Sequence, residues 1–468
     1  MSSIKHCLLI FILLSWITTL NGQNWLALGD GFNRSVRCIY NDTISGFIYV
    51  GGEFSEASDS IARGIAFWDG THWNPLSLGI DDYNSPNFPN HVQTIIRYDS
   101  EIFVGGAFSQ AGTNFSKYIA KWNGINWDSL PDRFNGPINK FRIIDNNLYI
   151  CGTFDSVGNI ACGGLIKWDG NQFSAVGNLV NFDTTQGGTQ NNIADVIKYN
   201  NHIYIAGNFY GTGGLNSIAY LDSGMWKPLQ NGVNGFNSFV FCMTEFNNEL
   251  YISGLFTKQE GNVGNYIQKW NGTSWSEPGN GVQGASGGNG QIDEIKVIDN
   301  RLFAVGKFST AGGIPAKYIA SFNGGNWCGL GSELDNSIST IESHNSTFLI
   351  GGGFRTIDLD TVNYISRWNG GLHTDTCSDL IGFPTVDNPH CIFYPNPFEK
   401  YFTIEIQTSQ LKISSIVITN GIGNTFVNIP FLPNQDKYFV SSISWPAGMY
   451  FVELLSEEGR IVKKVIKK

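Results

Sequence analysis

One phrase recurs along most of this chain. It first reads Ile48-Tyr49-Val50-Gly51-Gly52-Glu53-Phe54, and it returns ending at Phe108, Phe154, Phe209, Phe256, Phe308 and Phe354. Its second glycine is present in every copy: Gly52, Gly106, Gly152, Gly207, Gly254, Gly306 and Gly352. The position before it is mostly small, being Gly51, Gly105, Cys151, Ala206, Ser253, Val305 and Gly351. Glycine inside a strand marks a close backbone approach or a special dihedral. A second phrase follows, ending at Trp68, Trp122, Trp168, Leu221, Trp270, Phe322 and Trp368. In six copies the next two residues are Asp-Gly or Asn-Gly, and the fourth copy has Asp222-Ser223 instead. Such pairs favour a type I′ hairpin. A third aromatic phrase and a preceding apolar stretch complete each unit as four strands.

Four strands about every 50 residues, seven times over, predict a seven-bladed β-propeller, because a ring leaves no raw sheet ends. The composition agrees. Of 468 residues, 56 are Gly, 14% are aromatic and only 15% are charged, which suits short strands and tight turns. The seventh copy lacks its last strand, and an orphan copy stands near the N-terminus at Trp25-Leu26-Ala27-Leu28. That strand is expected to complete the last blade. The set is then Trp25, Trp73, Trp127, Phe173, Trp226, Trp275 and Trp327. The repeat resembles the kelch-type propellers, including the central domain of galactose oxidase, in its glycine pair and its later Trp-[Asp/Asn]-Gly segment. The resemblance covers residues 23–371. It departs in the Phe after the glycines and in a shorter aromatic spacing.

The chain opens with Lys5 and His6, an apolar run from Leu8 to Leu14, and Asn21-Gly22. This reads as a secretory signal peptide over residues 1–22. The run is too short to span a bilayer, and no later segment is long and apolar enough to do so. The formal net charge of −10 argues against a nucleic-acid partner.

Within a blade we name the strands a to d from the axis outward. The a–b and c–d connections are short and share one face. The d–a loops (residues 77–90, 177–191 and 279–290) and the b–c loops (55–63 and 210–215) share the other. Variable loops on a rigid scaffold carry binding sites. The candidates there are Asp81, Asp82, Tyr83, Phe88, Asn181, Phe182, Asp183 and Tyr210, aromatics beside amides and carboxylates that could stack on sugar rings and bond their hydroxyls. No catalytic set is legible. The histidines have no metal-ligand spacing, no calcium loop appears, and the Gly-rich strings lack the helix that a phosphate site needs. No metal or cofactor is expected. Buried thiols are expected at Cys38, Cys242 and Cys328, and packing at Cys151. Cys377 and Cys391 could pair after export.

Beyond residue 371 the repeat stops. A linker, residues 372–390, leads to Tyr394-Pro395-Asn396-Pro397 and alternating strands that read as a small Ig-like antiparallel sandwich over 391–468. The Tyr-Pro-Asn-Pro motif, the turn Asn420-Gly421-Ile422-Gly423, the segment Pro446-Ala447-Gly448-Met449-Tyr450 and the terminal Lys467 and Lys468 resemble the type A C-terminal sorting domain of the Bacteroidota type IX secretion system. The resemblance implies export to the periplasm, passage through the outer membrane, and a sorting protease that removes the domain. The protein is then released or held at the cell surface. The expected job is binding a glycan, a surface polymer or another protein. The alternative is a carbohydrate-active enzyme, an oxidase or a polysaccharide-processing enzyme, with its site at the ring's mouth.

Overall fold

The computed structural model describes residues 25–81, 91–178, 192–211, 213–235, 238–284, 290–330, 333–345, 347–358, 360–369, 391–406, 413–420, 425–430, 437–446, 448–456 and 459–468. Among them the protein is all-β, with a single helical turn at Lys258–Glu260. Seven four-stranded antiparallel sheets lie between Trp25 and Trp368. Their a strands are Val36–Asp42, His91–Tyr98, Ile138–Ile144, Asn192–Tyr199, Phe239–Phe246, Gln291–Ile298 and Ile338–His344. Each pairs in order with strands b, c and d of its own repeat. The seventh sheet takes its d strand from Trp25–Ala27, with Trp25 opposite Trp368.

Strand a of each sheet packs against strand a of the next, and strand a of the seventh packs against that of the first. The core follows the same order. Seven apolar clusters each bridge two successive sheets, one of them joining the seventh to the first through Leu349, Val36 and Ile39. The small residue before the conserved glycine permits this. A Cβ added at Gly105 would meet Ile138 at 2.7 Å, so larger side chains there would push neighbouring sheets apart.

The outer strands are tied together by tryptophans. Trp68 pairs with Trp73, and their rings lie 5.2 Å apart. The d-strand indoles also donate backwards to the preceding sheet: Trp73 to Leu28 O (2.7 Å), Trp127 to Leu76 O (3.0 Å), Trp226 to Val176 O (3.3 Å) and Trp327 to Pro278 O (2.9 Å). Phe173 has no side-chain N–H to give. The Trp275 Nε1 is buried without a partner.

The hairpin expectation needs correction. The Asx-Gly pairs do not form two-residue type I′ turns. Trp68 pairs with Trp73, which leaves a four-residue connection. In it only Gly70 takes positive φ, while the Asp69 carboxylate accepts the N–H groups of Thr71 and His72. The two-residue turns with positive φ at both positions occur between a and b, at Asp145-Asn146, Asn200-Asn201, Asn247-Asn248 and Asp299-Asn300. Asn and Asp tolerate that region because their short side chains bond locally.

The C-terminal sheets are Cys391–Tyr394, Tyr401–Ile406 and Lys437–Ser441 on one side, and Thr425–Pro430, Ile413–Asn420, Gly448–Ser456 and Gly459–Lys467 on the other. Their shared core includes Phe402, Ile404, Ile416, Tyr438, Val440, Trp445 and Val452.

Candidate functional site

Each a strand carries the same irregularity. Its sequence reads apolar, x, x, apolar: Val36-Arg37-Cys38-Ile39, Val92-Gln93-Thr94-Ile95, Ile138-Asn139-Lys140-Phe141, Ile193-Ala194-Asp195-Val196, Val240-Phe241-Cys242-Met243, Ile292-Asp293-Glu294-Ile295 and Ile338-Ser339-Thr340-Ile341. The a–b register slips by one residue there in all seven sheets. This is a β-bulge, and the conserved glycine explains it. A Cβ at Gly52, Gly106, Gly152, Gly207, Gly254, Gly306 or Gly352 would strike a carbonyl oxygen of the first residue of its own a strand or of the residue just before it. Only glycine lets the bulged strand approach.

The bulge sets two rows of side chains at the start of the a strands, on the long-loop end. The deeper row is Cys38, Thr94, Lys140, Asp195, Cys242, Glu294 and Thr340. It links sheet to sheet: Thr94 Oγ1 accepts Phe141 N–H (3.2 Å), Asp195 Oδ2 accepts Met243 N–H (2.9 Å) and Glu294 Oε2 accepts Ile341 N–H (3.0 Å). Cys242 Sγ donates to Ile295 O at 3.5 Å. Two contacts reach past the adjacent sheet. Lys140 of the third sheet meets Glu294 of the sixth at 3.4 Å. Arg142 binds Asp195 of the fourth sheet through two bonds (2.9 and 2.8 Å) and Met243 O of the fifth at 3.1 Å. These side chains therefore share one interior. Solvent still reaches it, since Lys140 and Glu294 remain 24% and 16% exposed while Asp195 is fully buried.

The electrostatics follow from mutual pairing. Burial pushes the Asp195 carboxyl up, but Arg142 and Lys140 outweigh it and hold the group below the usual range. Burial likewise opposes ionisation of Glu294, and Lys140 with Lys296 overrides it. Burial would lower the Lys140 ammonium, yet the Glu294 and Asp195 carboxylates raise it. The deeper row is thus a charged, self-neutralised floor.

The upper, bulged row is Arg37, Gln93, Asn139, Ala194, Phe241, Asp293 and Ser339. Arg37 binds Glu53 at 2.9 Å. Asn139 donates to Asn192 Oδ1 (2.6 Å) and Ile193 O (2.9 Å). Burial pushes Asp293 up to about 6, against the amide of Gln291 and the charge of Arg37. Arrayed here are a carboxyl, amides, a hydroxyl and an aromatic ring. Among the described residues no group of three or more His, Cys, Asp or Glu is arranged to hold a metal ion.

Sequence reading did not single out these rows. The signal was there, as a pair of residues between two apolar ones where a regular strand would place a single residue. Of the residues singled out, Asp81 lies in the two-residue strand Ile80–Asp81, pairs with Gln110 and meets Arg63 at 3.1 Å. Tyr210 lies near the end of the fourth sheet's strand His202–Gly211 and donates to Gly235 O at 3.0 Å. Both side chains tie loop connections on the long-loop end, Asp81 through Arg63 and Tyr210 through Gly235 O. Asp82, Tyr83, Phe88, Asn181, Phe182 and Asp183 lie outside the described residues, as do Cys377 and the Cys391 side chain. Cys38, Cys151, Cys162 and Cys242 are free thiols. Cys328 corrects its expectation, being disulfide-bonded rather than a buried thiol. Its partner lies outside the described side chains; pairing is decided by which sulfurs meet in space, and connectivity does not follow from sequence alone.

In the C-terminal sandwich the motif residues have distinct roles. Tyr394 donates to Glu405 at 2.7 Å, and Tyr450 to Pro446 O at 2.7 Å. Lys467 is 9% exposed, and its ammonium donates to Ser442 O and Trp445 O, both at 2.6 Å. It is a buried anchor, whereas Lys468 is exposed.

Comparison with known proteins yields one family match. The model for a secretion system C-terminal sorting domain matches residues 392–468. This places the chain among proteins carrying a type IX sorting tail, secreted or displayed at the outer-membrane surface, and implies engagement with that secretion machinery. No curated protein matches. Among solved structures, two of the extracellular domain of BT4673 from B. thetaiotaomicron are similar. One is 12% identical with a TM-score of 0.38, covering 92% of this chain and 62% of that one. The other is 11% identical with a TM-score of 0.31, covering 92% and 61%. The chain thus spans about three fifths of the length of those structures.

Proposed function

We propose that residues 23–371 form a kelch-like seven-bladed β-propeller closed by the N-terminal strand. A signal peptide, residues 1–22, precedes it, and a linker, residues 372–390, joins it to the sorting domain at 391–468. After export and removal of the tail, the propeller acts as a secreted or cell-surface binding protein for a glycan, a surface polymer or a protein ligand. The observation that carries this reading is the bulged row. Seven sheets each carry one such residue at the start of the a strand, next to the row in which Lys140 of the third sheet meets Glu294 of the sixth. Phe241 offers a face for stacking, while Gln93, Asn139, Ser339 and Asp293 offer donors and acceptors. The test is a glycan array and surface-polymer pull-down with the exported mature protein. Binding that drops at least tenfold in Phe241→Ala and Gln93→Ala, with unchanged folding, is the expected result. Binding unaffected by both substitutions overturns it.

One observation favours the second reading, a carbohydrate-active enzyme. Asp293 and Glu294 are adjacent carboxyls whose environments push them apart, one up and one down, as acid–base pairs require. Glycan turnover abolished by Asp293→Asn, or bound copper with oxidase turnover, would replace the binding reading.

A further inference from the structure

The sorting domain presents an outward face that its own core leaves uncovered. In the strand Lys437–Ser441, Tyr438 and Val440 point into the sandwich, so Phe439 points out and is 77% exposed. In Tyr401–Ile406, Phe402 and Ile404 are buried and Tyr401 is 65% exposed. The pairing brings these together with the motif tyrosine. Tyr394 and Phe439 both lie opposite Thr403, one on each side, and Tyr401 pairs with Ser441 two residues away on the same face. Ile443, 74% exposed, follows just beyond the strand. The charges on this face cancel, since Lys437 meets Glu405 at 3.3 Å and Tyr394 donates to the same carboxylate. The result is a neutral patch of three aromatic rings and an isoleucine, exposed in the intact chain.

Exposed apolar patches of this kind mark interaction surfaces, and clustered aromatics supply most interface energy. The buried Lys467 gives no comparable handle, because its ammonium is used up internally. We propose that Tyr394, Tyr401, Phe439 and Ile443 form the surface by which the sorting domain docks on a protein component of the outer-membrane secretion apparatus, into an apolar recess. The proposal rests on the sorting-domain match and is independent of the propeller reading. The function of the domain names the occupant: a tail that is sorted has to be bound by the apparatus that sorts it. The face also contains the tyrosine of the sorting motif itself.

The experiment uses the full chain in a type IX-competent host. The Tyr401→Ser/Phe439→Ser double variant is expected to reduce extracellular protein at least tenfold, with the leader-processed chain retained in the periplasm. The Tyr401→Phe/Phe439→Tyr variant, which keeps the rings, is expected to export normally. Wild-type export of the serine variant overturns the proposal. Folding of both variants is followed by protease resistance of the purified chain. Should the serine variant not fold, the chain with Phe439 replaced by p-benzoylphenylalanine decides in exporting cells. A crosslink to an identified outer-membrane component of the apparatus supports the proposal. Crosslinks only to lipid or to a second copy of this chain, or none, overturn it.

Discussion

Asp293 and Arg142 sit two layers apart on the a strands and show opposite uses of a charge. Asp293 is pushed up to about 6 because burial outweighs its partners. Its folded-state value lies above that of an unfolded aspartate, near 3.9. Ionisation therefore opposes folding above pH 6, and the stability tied to the protonated form is fully present below about pH 4. Asp293→Asn is expected to raise stability at pH 7–8 by roughly 2 kcal/mol and to change nothing near pH 4. Denaturant melts at both pH values check this, and equal effects at both would contradict it. Arg142 acts the other way. It neutralises a fully buried Asp195 together with Lys140, so Arg142→Ala strips that carboxylate of its hydrogen-bonded cation. The expected loss is about 3 kcal/mol, at the lower end of the usual range because the N–H groups of Val196 and Met243 still donate to it. Urea unfolding of the variant measures it.

At the scale of the elements, the turns and the tryptophan ties separate what each repeat shares from what it varies. Asn200-Asn201 closes strands a and b with positive φ at both positions. Asn201→Val places a β-branched side chain in the left-handed region and is expected to cost about 1–2 kcal/mol, read as a lower melting temperature. The indoles give a sharper contrast. Trp127 donates to Leu76 O across two sheets, whereas the Trp275 N–H is buried without an acceptor. Trp127→Phe should destabilise by about 1 kcal/mol. Trp275→Phe should be neutral or stabilising, because it removes an unsatisfied donor. Calorimetry on the two variants side by side tests the difference, and equal losses would show that the rings matter and the hydrogen bond does not.

For the whole molecule, the decisive contact joins the two ends of the repeat region. Trp25 is 4% exposed, packs edge-on against Trp368 with ring centres 4.7 Å apart, and pairs in register with it. Ser366 Oγ donates to Leu26 O at 3.0 Å. Leu28 O receives the Trp73 indole of the first sheet, so the segment joins sheets seven and one. Deleting residues 23–29 removes a buried tryptophan, a strand and that acceptor. We expect a fall in melting temperature of about 10 °C, with partial loss of cooperativity as the exposed edge of the seventh sheet frays. An unchanged melting curve would remove the support for ring closure in the proposed propeller.

The repeat, its strand content, the completion of the seventh sheet from the N-terminus and the sorting tail were all legible in the residues. Each rests on local patterning or on a motif that keeps its meaning wherever the chain goes. The c–d turns were expected as two-residue type I′ hairpins and are four-residue connections, because an Asx-Gly pair signals a tight turn without saying how many residues the cross-strand register leaves for it. The two rows at the a-strand bulges escaped for a related reason. Arg37, Lys140, Asp195, Asp293 and Glu294 are far apart in sequence, and each looks like an ordinary polar residue beside an apolar strand. Only the packing of the a strands against one another brings Lys140 within 3.4 Å of Glu294 and gathers the scattered irregularities into the site proposed above. Periodicity is a property of neighbours along the chain, while convergence depends on how separate sheets pack in space.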